Sequence, residues 1–208
     1  MKKIFFDANV IADWMIVSPK IIGIKNSERN AKLEELWKKY TAPKISFEIL
    51  ELLRYKIIKS FNFFTSDLAL AEVGDVIFKE IRSDDLKNKG IAYRYIPRMI
   101  KKLVLGEDEI NNIMNQMSLF RKIFINKNSI SKNKIKIHNR LIEPRLPLYL
   151  TSLFRIETYD AYLISQAFDA GCDFFVTKEE DLRKEVKIKS LPLISPENLL
   201  KIIRKNNP

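Results

Sequence analysis

The stretch Lys3-Ile4-Phe5-Phe6-Asp7-Ala8-Asn9-Val10-Ile11 holds a short, largely apolar run that ends at an acidic residue and then continues into a second apolar segment. A short apolar run bounded by polar residues is typical of a buried strand, so we predict a strand over 3–6 and a helix from Val10. A second run of this kind, Phe174-Phe175-Val176-Thr177, precedes Glu179. Strands that alternate with helices predict a parallel sheet with helices on its faces, an α/β fold.

The other elements are predicted from hydrophobic periodicity and from capping and turn residues. Ser66 is the expected cap of one helix, Gly171 the end of another and Pro196 the first turn of the last. The alternating residues 134–138 predict an exposed strand or a hairpin arm. Helices are expected over 10–16, 31–40, 47–60, 67–81, 91–105, 108–124 and 159–170, with further strands over 61–65 and 192–194.

Acidic residues at widely separated positions lie just past an apolar run or on an apolar helix stripe: Asp7, Glu72, Asp160 and the pair Glu179 and Asp181. Ligands of open α/β sheets bind beyond the carboxyl ends of the strands, so these residues are expected to meet there. Carboxylates gathered in one place repel one another unless a divalent cation neutralises them. The pattern therefore predicts a Mg²⁺ or Mn²⁺ site, and it leaves open whether Glu179 or Asp181 completes it.

Each acidic residue also has an ordinary structural explanation. Asp7 could cap a helix, and Asp160 could interact with a helix dipole. Glu72 is harder to explain in this way, because it interrupts an apolar stripe and an unpaired charge there is costly. Glu51 is the rival for its position, but an ion pair with Arg54 three residues later accounts for it.

The positive charge is concentrated in one part of the chain, whose net charge is +11. From Arg82 to Arg155 there are 16 Lys and Arg residues against 6 Asp and Glu, and none of the acids lies between Ile110 and Ile142. Nucleotide bias in the coding sequence could produce a composition rich in Lys, Ile and Asn, but the segregation of the charge favours a surface that binds nucleic acid. The predicted RNA-binding residues are Lys132, Lys134, Lys136 and Arg140.

Several classes of protein are excluded by residue counts. Cys172 is the single cysteine, which rules out an internal disulfide and a cysteine zinc cluster. His138 is the single histidine, so no catalytic triad is possible, and the scattered glycines form no phosphate loop. No apolar run is long enough for a membrane helix. We expect a cytoplasmic protein that does not contact a membrane.

With these motifs in place, the chain resembles the PIN-domain nucleases, and among them the VapC-type toxins of prokaryotic toxin–antitoxin pairs. The resemblance covers residues 1–82 and 156–203, and the connection over about 87–153 is longer than is usual. It implies a single PIN-like (Rossmann-like) domain over 1–208, with a long, basic and mainly helical insertion. The matching motifs are Phe5 to Ile11, Thr65 to Val73, Tyr159 to Ala167, Asp173 to Leu182 and Ser195-Pro196-Glu197.

The resemblance implies a Mg²⁺- or Mn²⁺-dependent endoribonuclease that is often a homodimer and is inhibited by a cognate antitoxin. Asp7, Glu72, Asp160 and either Glu179 or Asp181 would be the catalytic metal ligands, although Glu179 stands where the family usually has Asp. In this scheme Asn9 and Thr177 orient the carboxylates. Basic residues of the insertion would hold RNA phosphates, and aromatic residues would stack on unpaired bases: Phe120, Phe124 or Tyr149.

Three other functions are considered. A PIN nuclease could act in RNA maturation or DNA processing instead of as a toxin. A non-catalytic nucleic-acid-binding protein would not need the complete set of acids. A haloacid-dehalogenase-like phosphatase needs a second acid two residues after the first, and here that residue is Asn9.

Overall fold

A computed structural model describes residues 1–39, 44–58, 60–100, 104, 106–125 and 134–206. In this part of the chain five strands form one sheet, and every neighbouring pair is parallel. The strand order is β3-β2-β1-β4-β5, so β1 is central. The predicted α/β fold is confirmed, and the sheet is consistent with a Rossmann-like arrangement. The strands are β1 (Lys2–Phe6), β2 (Phe61–Thr65), β3 (Ile135–Ile137), β4 (Phe174–Val176) and β5 (Leu193–Ile194).

Helices connect the strands and cover the sheet. The Ser66 hydroxyl accepts a hydrogen bond of 3.1 Å from the Ala69 N–H and so starts α4 directly after β2. Within the described ranges, no helix is long and apolar enough to cross a membrane. The helices are α1 (Ala8–Val17), α2 (Asn26–Lys39), α3 (Lys44–Arg54), α4 (Asp67–Asn88), α5 (Ile96–Ile100), α6 (Glu107–Phe124), α7 (Arg145–Phe154), α8 (Thr158–Asp169), α9 (Glu180–Glu185) and α10 (Pro196–Asn206).

The alternation of side chains along each strand gives the sheet two apolar faces. On one face, Phe6 stacks on Phe63 at 5.3 Å and belongs to an apolar cluster with residues of α1, α3, α4, α6 and α10. On the other, Phe5 stacks on Phe175 at 5.7 Å and packs with residues of α7, α8 and α9. The sheet is therefore sandwiched between helices.

The basic segment 87–153 contributes to the sheet and the core. Its strand β3 pairs in parallel with β2, which confirms the strand predicted within 134–138. Ile135 is fully buried, so the expectation that this strand is exposed, or is the arm of a hairpin, is wrong. On α6, Phe120 and Phe124 pack against Trp14 with ring centroids 5.8 and 4.8 Å away. Both are buried, so the prediction that they stack on RNA bases is also wrong: they form the core face of an amphipathic helix. Tyr149 is exposed.

Several helix boundaries differ from the predictions. Helix α3 ends at Arg54, earlier than expected, since Lys56 adopts the left-handed region at φ 59°. In place of a helix over 91–105, the chain forms a 3-10 turn at Tyr93–Tyr95 and the short α5. Residues 40, 59, 101–103 and 105 of the predicted helices lie outside the described residues. Helix α7 was not predicted; Pro144 precedes its first turn.

Candidate functional site

One end of the sheet gathers acids that are far apart in the sequence. Asp7 follows β1, Glu72 lies in the second turn of α4 after β2, Asp160 lies in the first turn of α8, and Glu179 follows β4 and precedes α9. We call these four residues the acid cluster. An open cleft of about 700 Å³ lies beside them. It is lined by Ala71, Glu72, Asp75, Lys79, Arg155, Ile156, Glu157, Tyr159, Asp160, Glu179, Asp181, Leu182 and Glu185.

Asp7 is buried at the junction of β1 and α1. Its Oδ1 accepts a hydrogen bond of 2.7 Å from the Ala8 N–H, so it does cap α1, and its Oδ2 accepts one of 2.7 Å from Asn9 Nδ2. Burial raises the pKa of Asp7 to about 6. Hydrogen bonding with Thr177, Ala8 and Asn9 opposes this rise, while the charge of Glu179 adds to it. Asp7 is therefore both the N-cap of α1 and a member of the acid cluster.

Asn9 and Thr177 connect two of the loops that carry acids. Asn9 Nδ2 donates to Thr177 Oγ1 at 3.0 Å, and Asn9 Oδ1 accepts from the Lys178 N–H at 3.1 Å. Thr177 Oγ1 in turn accepts from the Glu179 N–H at 3.1 Å. These bonds fix the position of the β4–α9 loop relative to Asp7.

Glu72 has the least favourable environment of the cluster. Its Oε2 is buried and has no hydrogen-bond partner among the described residues. Burial, followed by the negative charges of Asp7, Asp160 and Glu179, raises the pKa of Glu72 to about 8. A carboxylate in this position is stabilised either by a proton or by a cation.

Asp160 belongs to the same electrostatic group. Burial raises its pKa to about 7, and the charges of Glu179 and Asp7 contribute further. Glu179 thus acts on the pKa of every other member of the cluster. Asp181 is exposed in the first turn of α9 and lines the same cleft. Both Glu179 and Asp181 line the cleft, and Glu179 is the one whose charge raises the pKa values of Asp7, Glu72 and Asp160.

The rival acid, Glu51, lies in a structural ion pair outside the cleft. Its Oε1 is 3.2 Å from Arg54 Nη1, as predicted, and its Oε2 is 2.5 Å from Arg29 Nη2. Trp14 Nε1 donates a further hydrogen bond of 2.8 Å to Glu51 Oε1. Its charge is therefore balanced without a metal ion.

The acid cluster fits a hard divalent cation in the type of its ligands, since Mg²⁺ and Mn²⁺ prefer carboxylate oxygen. The unpartnered Oε2 of Glu72 and the raised pKa values of three acids show that the cluster lacks positive charge. Among the described residues, however, no three Asp, Glu, His or Cys side chains are close enough together to hold one ion. The side chains would have to approach one another to share a metal.

No family model matches the chain, and no curated protein matches it. Because a fold of this kind supports many activities, the function has to be argued from the acid cluster and the cleft.

Sequence reasoning missed several residues of the site. The Tyr159 hydroxyl donates to the Leu68 carbonyl and so ties α8 to α4; burial first, and then the charges of Glu72 and Asp7, raise its pKa to about 12. Lys79 and Arg155 are the two cations that line the cleft. Only Tyr159 carried a sequence signal, its position next to Asp160.

A charge pair between α1 and the β4–α9 loop also supports this loop. Lys178 Nζ lies 2.7 Å from Asp13 Oδ1, and Asp13 is almost fully buried on α1. Burial raises the pKa of Asp13 to about 6 in spite of this partner. The pair therefore anchors the residue next to Glu179 to α1.

Of the predicted RNA-binding residues, Lys134 lies just before β3, Lys136 lies in it and Arg140 lies in the loop after it, and none of these three lines the cleft. Lys134 Nζ donates to the Ile123 carbonyl, and Lys136 Nζ lies 5.7 Å from the centroid of the Phe64 ring. Arg140 Nη1 is 3.5 Å from Asp169 Oδ1. Lys132 lies outside the described residues.

Proposed function

We propose that the protein is a divalent-metal-dependent endoribonuclease that hydrolyses RNA phosphodiester bonds, and that it is the toxin of a VapBC-like toxin–antitoxin pair. The observation that carries the proposal is the environment of Glu72: a half-buried carboxylate with one unpartnered oxygen, whose pKa is raised by burial and by three neighbouring acids. A cation is the natural ligand of such a group.

Asp7, Glu72, Asp160 and Glu179, with Asp181 as the alternative to Glu179, are the residues that would hold Mg²⁺ or Mn²⁺. When bound, the metal supplies the positive charge that lowers the pKa of water and stabilises the leaving oxygen of a phosphodiester. Asn9 and Thr177 keep Asp7 and the Glu179 loop at a fixed separation through their hydrogen bonds. Because the pKa of Glu72 is raised to about 8, protons compete with a cation for its carboxylate at neutral pH.

The toxin assignment, the cognate antitoxin, the homodimer and a cytoplasmic location are parts of this proposal that rest on the resemblance of the sequence motifs to VapC-type toxins. The buried, unpaired thiol of Cys172 agrees with a reducing compartment. A PIN nuclease of RNA maturation or DNA processing has the same site and differs in its substrate. The complete set of acids argues against a non-catalytic protein.

The proposal is tested with a labelled single-stranded RNA of mixed sequence and a DNA of the same sequence. We expect cleavage of the RNA with Mg²⁺ or Mn²⁺ and none with EDTA, because the acid cluster needs a cation to act on a phosphodiester. Faster cleavage of the DNA would favour the DNA-processing alternative. A purified, folded protein that cleaves neither polymer with either metal would contradict the proposal.

The lysines close to β3 in the sequence give a separate prediction about RNA binding. Replacing Lys132, Lys134 and Lys136 with Ala should weaken binding about equally for all RNA sequences, because contacts with phosphates carry no sequence information. The slope of log affinity against log salt should fall by up to about 0.7 for each phosphate that the variant no longer neutralises. Fluorescence anisotropy over a salt series measures both.

The matched control removes three lysines in and just before α2, Lys25, Lys32 and Lys38, and so changes the net charge equally. An equal effect of both triple variants would reduce the prediction to a general charge effect. If the Lys132, Lys134 and Lys136 variant has an unchanged salt slope but no longer binds a protein partner, these lysines belong to a protein-binding surface.

A further inference from the structure

The residue that ends α7 has an unusual backbone. Arg155 adopts the left-handed region at φ 56° and ψ 33°, and its N–H donates to the Thr151 carbonyl at 2.9 Å to close the helix. Glycine is the usual residue at such a helix end, because a Cβ atom is disfavoured there. A strained non-glycine residue in a cleft suggests a role for its side chain.

The charge of the cleft gives an independent reason to examine Arg155. Seven acidic residues and two cations line the cleft. One cation, Lys79, is already engaged, since its Nζ lies 2.5 Å from Asp75 Oδ2 on the same face of α4. The side chain of Arg155 forms no ion pair or hydrogen bond with any residue in the described part of the chain, although seven acids line the same cleft. It is therefore available to an anion that enters the cleft.

We infer that Arg155 binds a phosphate of the RNA strand at the rim of the cleft; the inference rests on the proposed function in its choice of RNA. A polyanion has to approach a cleft lined mainly by carboxylates, so a cation without a partner is needed on its path. Guanidinium presents a planar fork of donors that matches two phosphate oxygens. Arg155 lies in the turn between α7 and α8, five residues before Asp160, so the bound phosphate is adjacent to the acid cluster.

A purely structural role of Arg155 and a role in phosphate binding predict different changes in the melting temperature when the side chain is removed. If Arg155 served only to neutralise the surrounding acids, its removal would lower the melting temperature in metal-free buffer. Arg155→Gly removes the charge and also relieves the left-handed strain, so for a side chain without a partner we expect a melting temperature that is unchanged or higher by up to about 4 °C.

Lys56 provides a matched control. It is also a basic residue in the left-handed region, at φ 59°, just after a helix, and it does not line the cleft. Lys56→Gly should change stability in the same direction as Arg155→Gly and leave RNA cleavage as it is.

Arg155→Gly should raise KM for single-stranded RNA by about 10-fold or more with a smaller change in kcat, since a phosphate contact outside the bond being cleaved contributes mainly to binding. The KM of Arg155→Lys should lie between those of the wild type and Arg155→Gly, because lysine keeps the charge but lacks the planar fork of donors.

Binding measured without cleavage separates this inference from the proposed activity. In an Asp7→Asn background with EDTA, the anisotropy of a fluorescein-labelled single-stranded RNA should show about 10-fold weaker binding when Arg155 is also changed to Gly. If the wild-type protein cleaves no RNA but this difference remains, the proposed activity fails and the inference stands. If Arg155→Gly binds and cleaves RNA like Lys56→Gly, or lowers the melting temperature while Lys56→Gly does not, the inference is overturned. A background protein that binds no RNA would overturn it as well.

Discussion

Asp7→Asn and Asp160→Asn are each expected to reduce the cleavage of single-stranded RNA by about 1000-fold or more, which corresponds to about 4 kcal/mol of transition-state stabilisation. Both residues belong to the acid cluster, and amide side chains cannot supply its negative charge to a cation. The fold should survive. Asn is as good a helix cap as Asp, so Asp7→Asn keeps the start of α1, and Asp160→Asn removes a half-buried charge whose pKa is raised to about 7.

Cleavage rates at saturating Mg²⁺ or Mn²⁺ measure the effect, with circular dichroism to verify folding. Asp85→Asn is the matched control, because it makes the same chemical change on α4 at an exposed ion pair with Lys89 that lies outside the cleft. Such surface pairs contribute little to stability, so this variant should behave like the wild type. A folded Asp7→Asn or Asp160→Asn protein with undiminished cleavage would remove that residue from the site.

Glu72→Gln is expected to reduce cleavage by about 100-fold or more and, without metal, to raise the melting temperature. The amide removes a charge that is repelled by Asp7, Asp160 and Glu179 and has one unpartnered buried oxygen. The pH dependence follows from the raised pKa. Protonated Glu72 stabilises the folded protein fully below pH 4.5, and this contribution is lost as the pH rises through about 8. The advantage of Glu72→Gln should therefore grow between pH 4.5 and 8.

Differential scanning fluorimetry in EDTA across this pH range measures the stability effect, and Glu51→Gln is the control. Glu51 is held by Arg29, Arg54 and Trp14, so its neutralisation should lower the melting temperature and leave cleavage nearly unchanged. Added Mg²⁺ should raise the melting temperature of the wild type more than that of Glu72→Gln. The reverse pattern, with activity lost in Glu51→Gln, would place the helical acid on α3 instead of α4.

The sequence predicted those features that short-range patterns encode. The apolar run before Asp7 specified β1, Ser66 specified the start of α4, and the polar interruption of an apolar stripe singled out Glu72. The meeting of Asp7, Glu72, Asp160 and Glu179 also followed, because parallel strands bring their carboxyl ends to one edge. These conclusions needed no knowledge of which strands are neighbours.

The features that depend on distant partners could not be predicted in the same way. Periodicity shows that α6 has an apolar face, but it does not show that Phe120 and Phe124 meet Trp14, which lies about a hundred residues earlier. The alternation of side chains in β3 predicts a strand, but it does not show that this strand pairs with β2. The left-handed backbone of Arg155 had no signal, since arginine is rare in that conformation.

The position of β1 in the middle of the sheet has a consequence for a chain emerging from the ribosome. One edge of β1 can pair with β2 early in synthesis, but the other awaits β4, and the bond from the Lys3 N–H to Asp173 spans 170 positions. Until then the nascent chain exposes an unpaired apolar strand edge, which favours aggregation. Nascent chains that stop before Asp173 also lack Thr177 and Glu179, so Asp7 acquires these two neighbours only after residue 179 has been synthesised. Chains that end before Asp173 should therefore lack the complete acid cluster and be prone to degradation.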